Sequence, residues 1–549
     1  MDRLPQELID RISCHLSMED LKQTLTVSRK FQLAAEWNSG VFRTAKLTGG
    51  ESFERFLDTY CSHRLRYLQY VQFSTNFPTL EWDEERRPRC RETADELRAM
   101  DETFTQQIDS LFAALKIVED WGKKGQDSME IDLTVYTPTR VVSSAYCLHR
   151  RWVGWRIHLL TPEALPILDS VYSLKIENGG DVSHWDDSNI SAFKIDLRVL
   201  VDLANRLPNL QRLGAKLGGE WTTDCESEIV KHFTRDWDGP RRDSRHDFAK
   251  AVQDVGLPLS LQNVNLDFLD PLSDAEGIDQ REPMPNLMGS MTHSYDPFSS
   301  SLRVISSQLR RLDLRVVADS TLFWPATGSD ADPCWPHLEF LNVMFHIASP
   351  SGSWYFRGPK GEGQTSLGFE ITSASYPPLV ATPDNERWDK MKNSRGFYTS
   401  NRTAAQFRVI PNDDIIVPFL TGFAKAAANM PSLAHAAIWT PLRFRGYDVD
   451  EAYEDDYDGL ALCLDGELAW GIAYTKPRTW AFDTGPGETN SAARQIWWRV
   501  AKWRPEDDLH RLFQQIGYPH TNEIKEYWEH DIYGCGLVER EMFEEFGKC

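Results

Sequence analysis

Leu309-Arg310-Arg311-Leu312-Asp313-Leu314 sets one apolar residue ahead of two more, at plus three and plus five. The same fragment returns as Leu65, Leu68, Tyr70; Val171, Leu174, Ile176; Leu210, Leu213, Ala215; Leu261, Val264, Leu266; Leu338, Leu341, Val343; and Leu433, Ala436, Ile438. In Leu207-Pro208-Asn209, Trp335-Pro336-His337 and Met430-Pro431-Ser432 a proline stands two residues before the first apolar position. Proline there stops a helix and starts an extended stretch, so the predicted unit is a helix feeding a short strand.

Helical spacing precedes two copies, in Leu197, Leu200, Val201, Ala204, Leu207 and in Phe419, Leu420, Phe423, Ala427, Met430. Another such helix, with Ile108, Leu111, Phe112, Leu115 and Val118, leads into the alternating stretch Ile131-Asp132-Leu133-Thr134-Val135. The pattern resembles a degenerate leucine-rich-repeat array, an α/β repeat. The resemblance implies a curved solenoid in which each strand and helix buries its apolar face only against its neighbours. From residue 171 onward the copies are 39, 51, 48, 29 and 95 residues apart, so insertions must lie between them. Composition places these near 270–301 and 349–412, both rich in loop-forming residues without a period.

Seven acids between Tyr447 and Asp458 mark the end of that region. Beyond them Asp465-Gly466 separates two apolar runs, a strong hairpin signal, and Thr479–Asp483 and Gln495–Ala501 read as strands. Pro505 opens a helix with acids in its first turn and Gly517 at its end. The expectation for 446–549 is a capping region with a small antiparallel sheet and a helix, following a repeat-like region over 46–445.

The first forty-five residues read as three short helices. Leu8, Ile9, Ile12 and Leu16 follow Pro5 at helical spacing, Ser17 can cap a second helix, and Ser28 a third. So small a bundle can hardly fill a core of its own and calls for a partner. Leu4-Pro5-x-Glu7-Leu8-Ile9-x-x-Ile12, then Leu16, Asp20-Leu21 and Val27-Ser28-Arg29-x-Phe31 resemble the F-box of fungal-type F-box proteins. The resemblance implies that this module packs on a Skp-family adaptor, and through it on a cullin. Leu4, Pro5, Leu8, Ile12, Leu16, Leu21, Val27 and Phe31 would form the apolar contact or its support.

A net charge of −22 disfavours a nucleic-acid partner, because a phosphate backbone would be repelled. Charged residues near the start and the lack of a long uncharged run give no sign of an export signal or membrane helix, so a cytoplasmic or nuclear protein is expected. Nine scattered cysteines form no C-x-x-C pair. Gly358 to Gly363 has a phosphate-loop outline, but Gln364 stands where lysine is needed. Cys147 with His149 is weak support for a nucleophile and base. No catalytic residue, cofactor or metal is expected. Trp497-Trp498-Arg499 and Lys502-Trp503-Arg504 interleave cations with aromatics, which makes Arg499, Lys502 and Arg504 candidates for holding a protein target. The composite expectation is a non-catalytic substrate-recognition subunit of an SCF-type ubiquitin ligase with an unidentified protein target. The alternatives are an F-box scaffold or regulator acting outside the ligase, and an unrecognised enzyme in the C-terminal half.

Overall fold

The computed structural model describes residues 4–78, 92–125, 129–141, 155–179, 190–218, 238–289, 295–326, 332–376, 405–444, 468–479, 491–517, 523–528 and 537–546, with Pro383, Arg387 and Phe482. The first elements are α1 (Gln6–Ser13), α2 (Met18–Thr24) and α3 (Arg29–Ser39), the three short helices expected there. Ser17 Oγ accepts from the Asp20 amide at 3.2 Å and Ser28 Oγ from the Phe31 amide at 3.4 Å, so both predicted caps form.

The strands, in chain order, are β1 (Thr44–Leu47), β2 (Tyr70–Asn76), β3 (Ile131–Val141), β4 (Arg156–Ile157), β5 (Val171–Glu177), β6 (Ile190–Ala192), β7 (Lys194–Ile195), β8 (Arg212–Lys216) and β9 (Asn263–Asp267). They continue as β10 (Arg311–Val316), β11 (Phe340–Phe345), β12 (Phe356–Arg357), β13 (Ile410–Pro411), β14 (His435–Leu442), β15 (Leu468–Thr475), β16 (Arg494–Arg499), β17 (Ile524–Tyr527) and β18 (Val538–Glu539). Among the described residues one fourteen-stranded sheet runs β1-β2-β3-β5-β8-β9-β10-β11-β14-β15-β16-β17, with β18 on β15 and β6 on β3. Every pairing along that path from β1 to β14 is parallel. β14–β15 and β15–β16 are antiparallel, and β16–β17 is parallel again.

The chain is therefore a mixed α/β fold on one large, mostly parallel sheet, not the leucine-rich-repeat solenoid expected from the recurring fragment. Its connections share no common unit. Among the described residues the helix Asp238–Asp254 lies between β8 and β9, the short turn Ser320–Leu322 alone between β10 and β11, and the β12–β13 pair plus the helix Asp413–Ala428 between β11 and β14. Nor do the C-terminal strands make a small sheet of their own. β15 pairs with all of β14, from His435 opposite Thr475 to Leu442 opposite Leu468. An unpaired β14 edge would present bare amides and carbonyls, and β15 satisfies them.

The recurring fragment has a different meaning from the one read in it. In six of its seven copies the plus-three and plus-five residues line up across the sheet in two rows, whereas in the copy at Leu65 the strand enters the rows through Val71 and Phe73 and Tyr70 is exposed. Ala45, Val71, Leu133, Leu174, Leu213, Val264, Leu312, Leu341 and Ala436 form one, and Leu47, Phe73, Val135, Ile176, Ala215, Leu266, Leu314, Val343 and Ile438 the other. Ile472 and Trp498 extend the second row. Both rows are buried in one core. It is filled from the helix side by α4 (Glu51–Tyr60), α5 (Ala94–Gly125), α6 (Arg198–Ala204) and the helices Asp238–Asp254, Pro297–Ser306, Asp413–Ala428 and Asp507–Gln514.

On the opposite face the register row Lys46, Gln72, Thr134, Lys175, Gly214, Asn265, Asp313 is polar, and none of its members is buried. Among the described residues that face closes toward β11 and β14–β16, where Met344, Ala437, Trp439, Ala473 and Trp497 cluster with Val538, Phe543 and Phe546 from the end of the chain. Trp439 and Phe543 stack there at 5.4 Å.

The stretch near 270–301, read as an insertion, holds the helices Leu272–Glu276 and Pro297–Ser306. Asp296 caps the latter from the amides of Phe298 and Ser299 and is bound by the buried Arg245 at 2.6 Å. The acidic run, the Asp465-Gly466 turn, most of the stretch Thr479–Asp483 and the Cys147–His149 pair lie outside the described residues.

Candidate docking surface

α1 carries apolar residues on two flanks. Ile9 faces inward and, with Phe31 and Ala34 of α3, makes the small core of the helical trio. Leu8 and Ile12, four residues apart, share a stripe that points out at 47% and 46% exposure, and Leu4, just ahead of the helix, is exposed as well. Met18, Leu25, Val27, Trp37 and Val41 are also exposed. Among the described residues, eight of the seventeen exposed large apolar side chains thus fall between residues 4 and 41. Single exposed apolar residues are ordinary, but a concentration of this kind marks a surface that has something to cover it.

Of the residues named from sequence, Leu4, Pro5, Leu8, Ile12 and Val27 are exposed, Leu16 is half-buried, and Leu21 and Phe31 are buried. The first five can meet a partner, and the last two hold the helices together. Met18, Leu25 and Val41 were not among the expected adaptor contacts; their signal is exposure, which only the fold reveals.

The module is fixed to itself and to the sheet. Lys30 Nζ donates to the Leu4 carbonyl at 2.8 Å, and Gln6 Nε2 donates to the Lys30 carbonyl at 3.1 Å, tying the two ends of the trio. On α3 the buried Glu36 carboxylate accepts from Arg64 Nη2 at 2.7 Å and Nε at 3.2 Å, lies 2.7 Å from His63 Nε2, and accepts from Gln32 at 3.1 Å. Burial would raise this carboxyl, but the bonds from Arg64, His63 and Gln32 outweigh it and hold it below its ordinary value. Tyr67 Oη donates to the Leu33 carbonyl at 3.2 Å, and the Tyr67 ring packs on Trp37 at 5.6 Å. Residues 63–67 directly precede β2, so α3 is anchored to the first strands of the sheet.

The other candidate cations divide. Arg499, on β16, is 1% exposed, and its guanidinium packs 5.3 Å from the Trp497 ring, so it belongs to the interior. Lys502 and Arg504 are exposed on the turn that follows. Arg504 lies 4.9 Å over Trp528 and donates to the carbonyls of Ala501 and Trp503, both at 2.8 Å. The neighbouring tryptophans are engaged within the fold: Trp497 stacks on Tyr527 at 3.9 Å and Trp498 on Trp528 at 4.5 Å. The loop Gly358–Gly363 is bound from inside by Arg408, which donates to the Gly363 carbonyl at 2.9 Å.

Among the described residues one group has the composition of a metal site, His158, Asp196 and Asp247, away from the helical trio. No helix among the described residues is long and apolar enough to cross a membrane. No protein-family model matches the chain, and no curated protein matches it.

Proposed function

We propose that this chain is the substrate-recognition subunit of an SCF-type ubiquitin ligase. Its helical trio would dock on a Skp-family adaptor, held in turn by a cullin, and its sheet would carry a protein target. The observation that carries this reading is the outward stripe Leu8, Ile12 with the exposed Leu4 and Val27, on a module whose own core amounts to Ile9, Phe31 and Ala34. Helices that leave such a stripe bare are suited to lie in an apolar groove, at about 1.5–3 kcal/mol of gross driving force for each large side chain fully covered. The bolt through Glu36 gives the docked module a fixed relation to the first strands of the sheet. The polar row from Lys46 to Asp313 offers the kind of surface on which a target can be held by charge and hydrogen bonds. Ubiquitin transfer would then be accelerated by proximity alone, with the chemistry on other subunits.

The test is recovery of the adaptor from cell extract by the full chain and by the double variant Leu4→Ala, Pro5→Ala. Adaptor bound by the parent and lost by the variant supports the reading, and equal recovery by both removes it. Co-purification of a cullin distinguishes a ligase receptor from an adaptor-bound scaffold outside the ligase.

A further inference from the structure

His158 follows β4, Asp196 follows β7, and Asp247 lies on the helix Asp238–Asp254. These elements are locked to one another. β4 and β7 pair in parallel through Arg156–Lys194 and Ile157–Ile195, and the Asp196 amide donates to the Ile157 carbonyl at 2.8 Å. The Leu197 amide donates to Ser244 Oγ at 2.9 Å, which fixes the helix against the turn holding Asp196. One donor atom from each of His158, Asp196 and Asp247 lies within 4.8 Å of the other two.

From this geometry we infer that His158 Nε2, the Asp196 carboxylate and the Asp247 carboxylate form a binding site for a first-row divalent cation of the zinc class. His158 Nε2 and Asp196 Oδ2 are 3.6 Å apart, longer than a hydrogen bond and within the reach of an ion pair. Two ligands each about 2.0–2.1 Å from one tetrahedral ion stand roughly 3.4 Å from each other, so the same spacing also accommodates a shared cation. One imidazole nitrogen and two carboxylate oxygens are a donor set such ions accept.

A second feature points the same way. Asp101, on α5, faces the other side of the ring, with Oδ2 3.7 Å from His158 Nδ1, while its Oδ1 accepts from the His158 backbone amide at 2.9 Å. Trp155 Nε1 also donates to that Oδ1 at 3.4 Å and holds the carboxylate in place. At 3.7 Å Asp101 makes no hydrogen bond to the ring, but it stands on the side of the non-ligating nitrogen, where metal sites place the carboxylate that orients a histidine ligand.

The charge balance agrees. The imidazole lies among three carboxylates, Asp101, Asp196 and Asp247, so even an imidazolium leaves an excess of negative charge. A bound dication would offset that excess. His158 is 38% exposed at its side chain while Asp196 is 3%, so the ion would be reached from the His158 side, where water completes its coordination.

The inference is independent of the proposed ligase role, and its test leaves that role untouched. The full chain is stripped with a chelator, dialysed and titrated with Zn²⁺ alone by calorimetry, with thermal unfolding followed in parallel. One tight equivalent and a rise in Tm are expected. Binding should be lost in His158→Ala and weakened at least tenfold in Asp247→Asn. Asp247 and His158 are only partly buried, so at least one of these variants should fold, which circular dichroism checks. Absence of saturable binding, or the same tight equivalent in the parent and in whichever variants fold, would overturn the site.

Discussion

Glu36 and Arg64 join at 2.7 Å across the seam between the helical trio and the sheet, with the carboxylate almost wholly buried and the guanidinium one-third exposed. Glu36→Ala removes the acceptor for Arg64, His63 and Gln32 at once. The expected loss is about 1–3 kcal/mol, tempered by the exposure of Arg64. Limited proteolysis should then cut within residues 40–43, between α3 and β1, before the sheet is touched. The folded carboxyl lies below its ordinary value, so the contribution is full above about pH 4.5 and fades as pH falls through the folded value. Parent and variant should therefore converge in acid.

Leu8→Asp and Ile12→Asp change only the exposed stripe of α1. Stability should stay within about 0.5 kcal/mol of the parent, while adaptor recovery falls away. Phe31→Ala empties the small core instead and should cost on the order of 3–5 kcal/mol within the helical module. Denaturant melts paired with adaptor pull-downs separate the two effects.

Burial lifts the Asp267 carboxyl to about 6, against the pull of Arg315. The folded chain thus keeps a proton there that the unfolded chain releases from about pH 4 upward, so stability falls as pH rises from about 4 to 6. Asp267→Asn keeps an acceptor for the Leu269 amide, bound at 2.9 Å, and removes the charge. The variant should be more stable than the parent at pH 8, by on the order of 1–2 kcal/mol, and the gap should close at pH 4. Midpoints of denaturation at the two pH values check this.

Arg499→Ala should act through folding, because its side chain is interior and packs on Trp497. A loss on the order of 1–3 kcal/mol is expected. Lys502→Ala, on the exposed turn, should leave the denaturation midpoint unchanged. If target binding in extract falls in Lys502→Ala without any loss of stability, that turn belongs to the target surface.

Much of the sheet's buried face was legible. Leu312 and Leu314 announce a strand by spacing alone, and five other fragments carry the same signal because each must present two side chains to one continuous core, while the copy at Leu65 is out of register with its strand and leaves Tyr70 exposed. What joins the strands was not legible. Pairing between Ile438 and Ile472, or between Leu266 and Leu314, is set by contacts far apart in sequence, and a recurring strand does not prove a recurring unit. Arg499 misled because a strand buried on both faces draws its aromatics and its cation inward together. His158, Asp196 and Asp247 stand 38 and 51 residues apart, a spacing that no local motif encodes.

The order of the strands also bears on synthesis. From β1 to β14 each strand of the central path is laid beside the one that left the ribosome just before it, so the sheet can lengthen as the chain emerges, without waiting for a distant segment. The exception is the last stretch, which returns to cover Trp439 and pair with β15. A ribosome stalled before residue 537 would hold a protein whose early strands are finished while its final ones still show bare indole to passing chaperones.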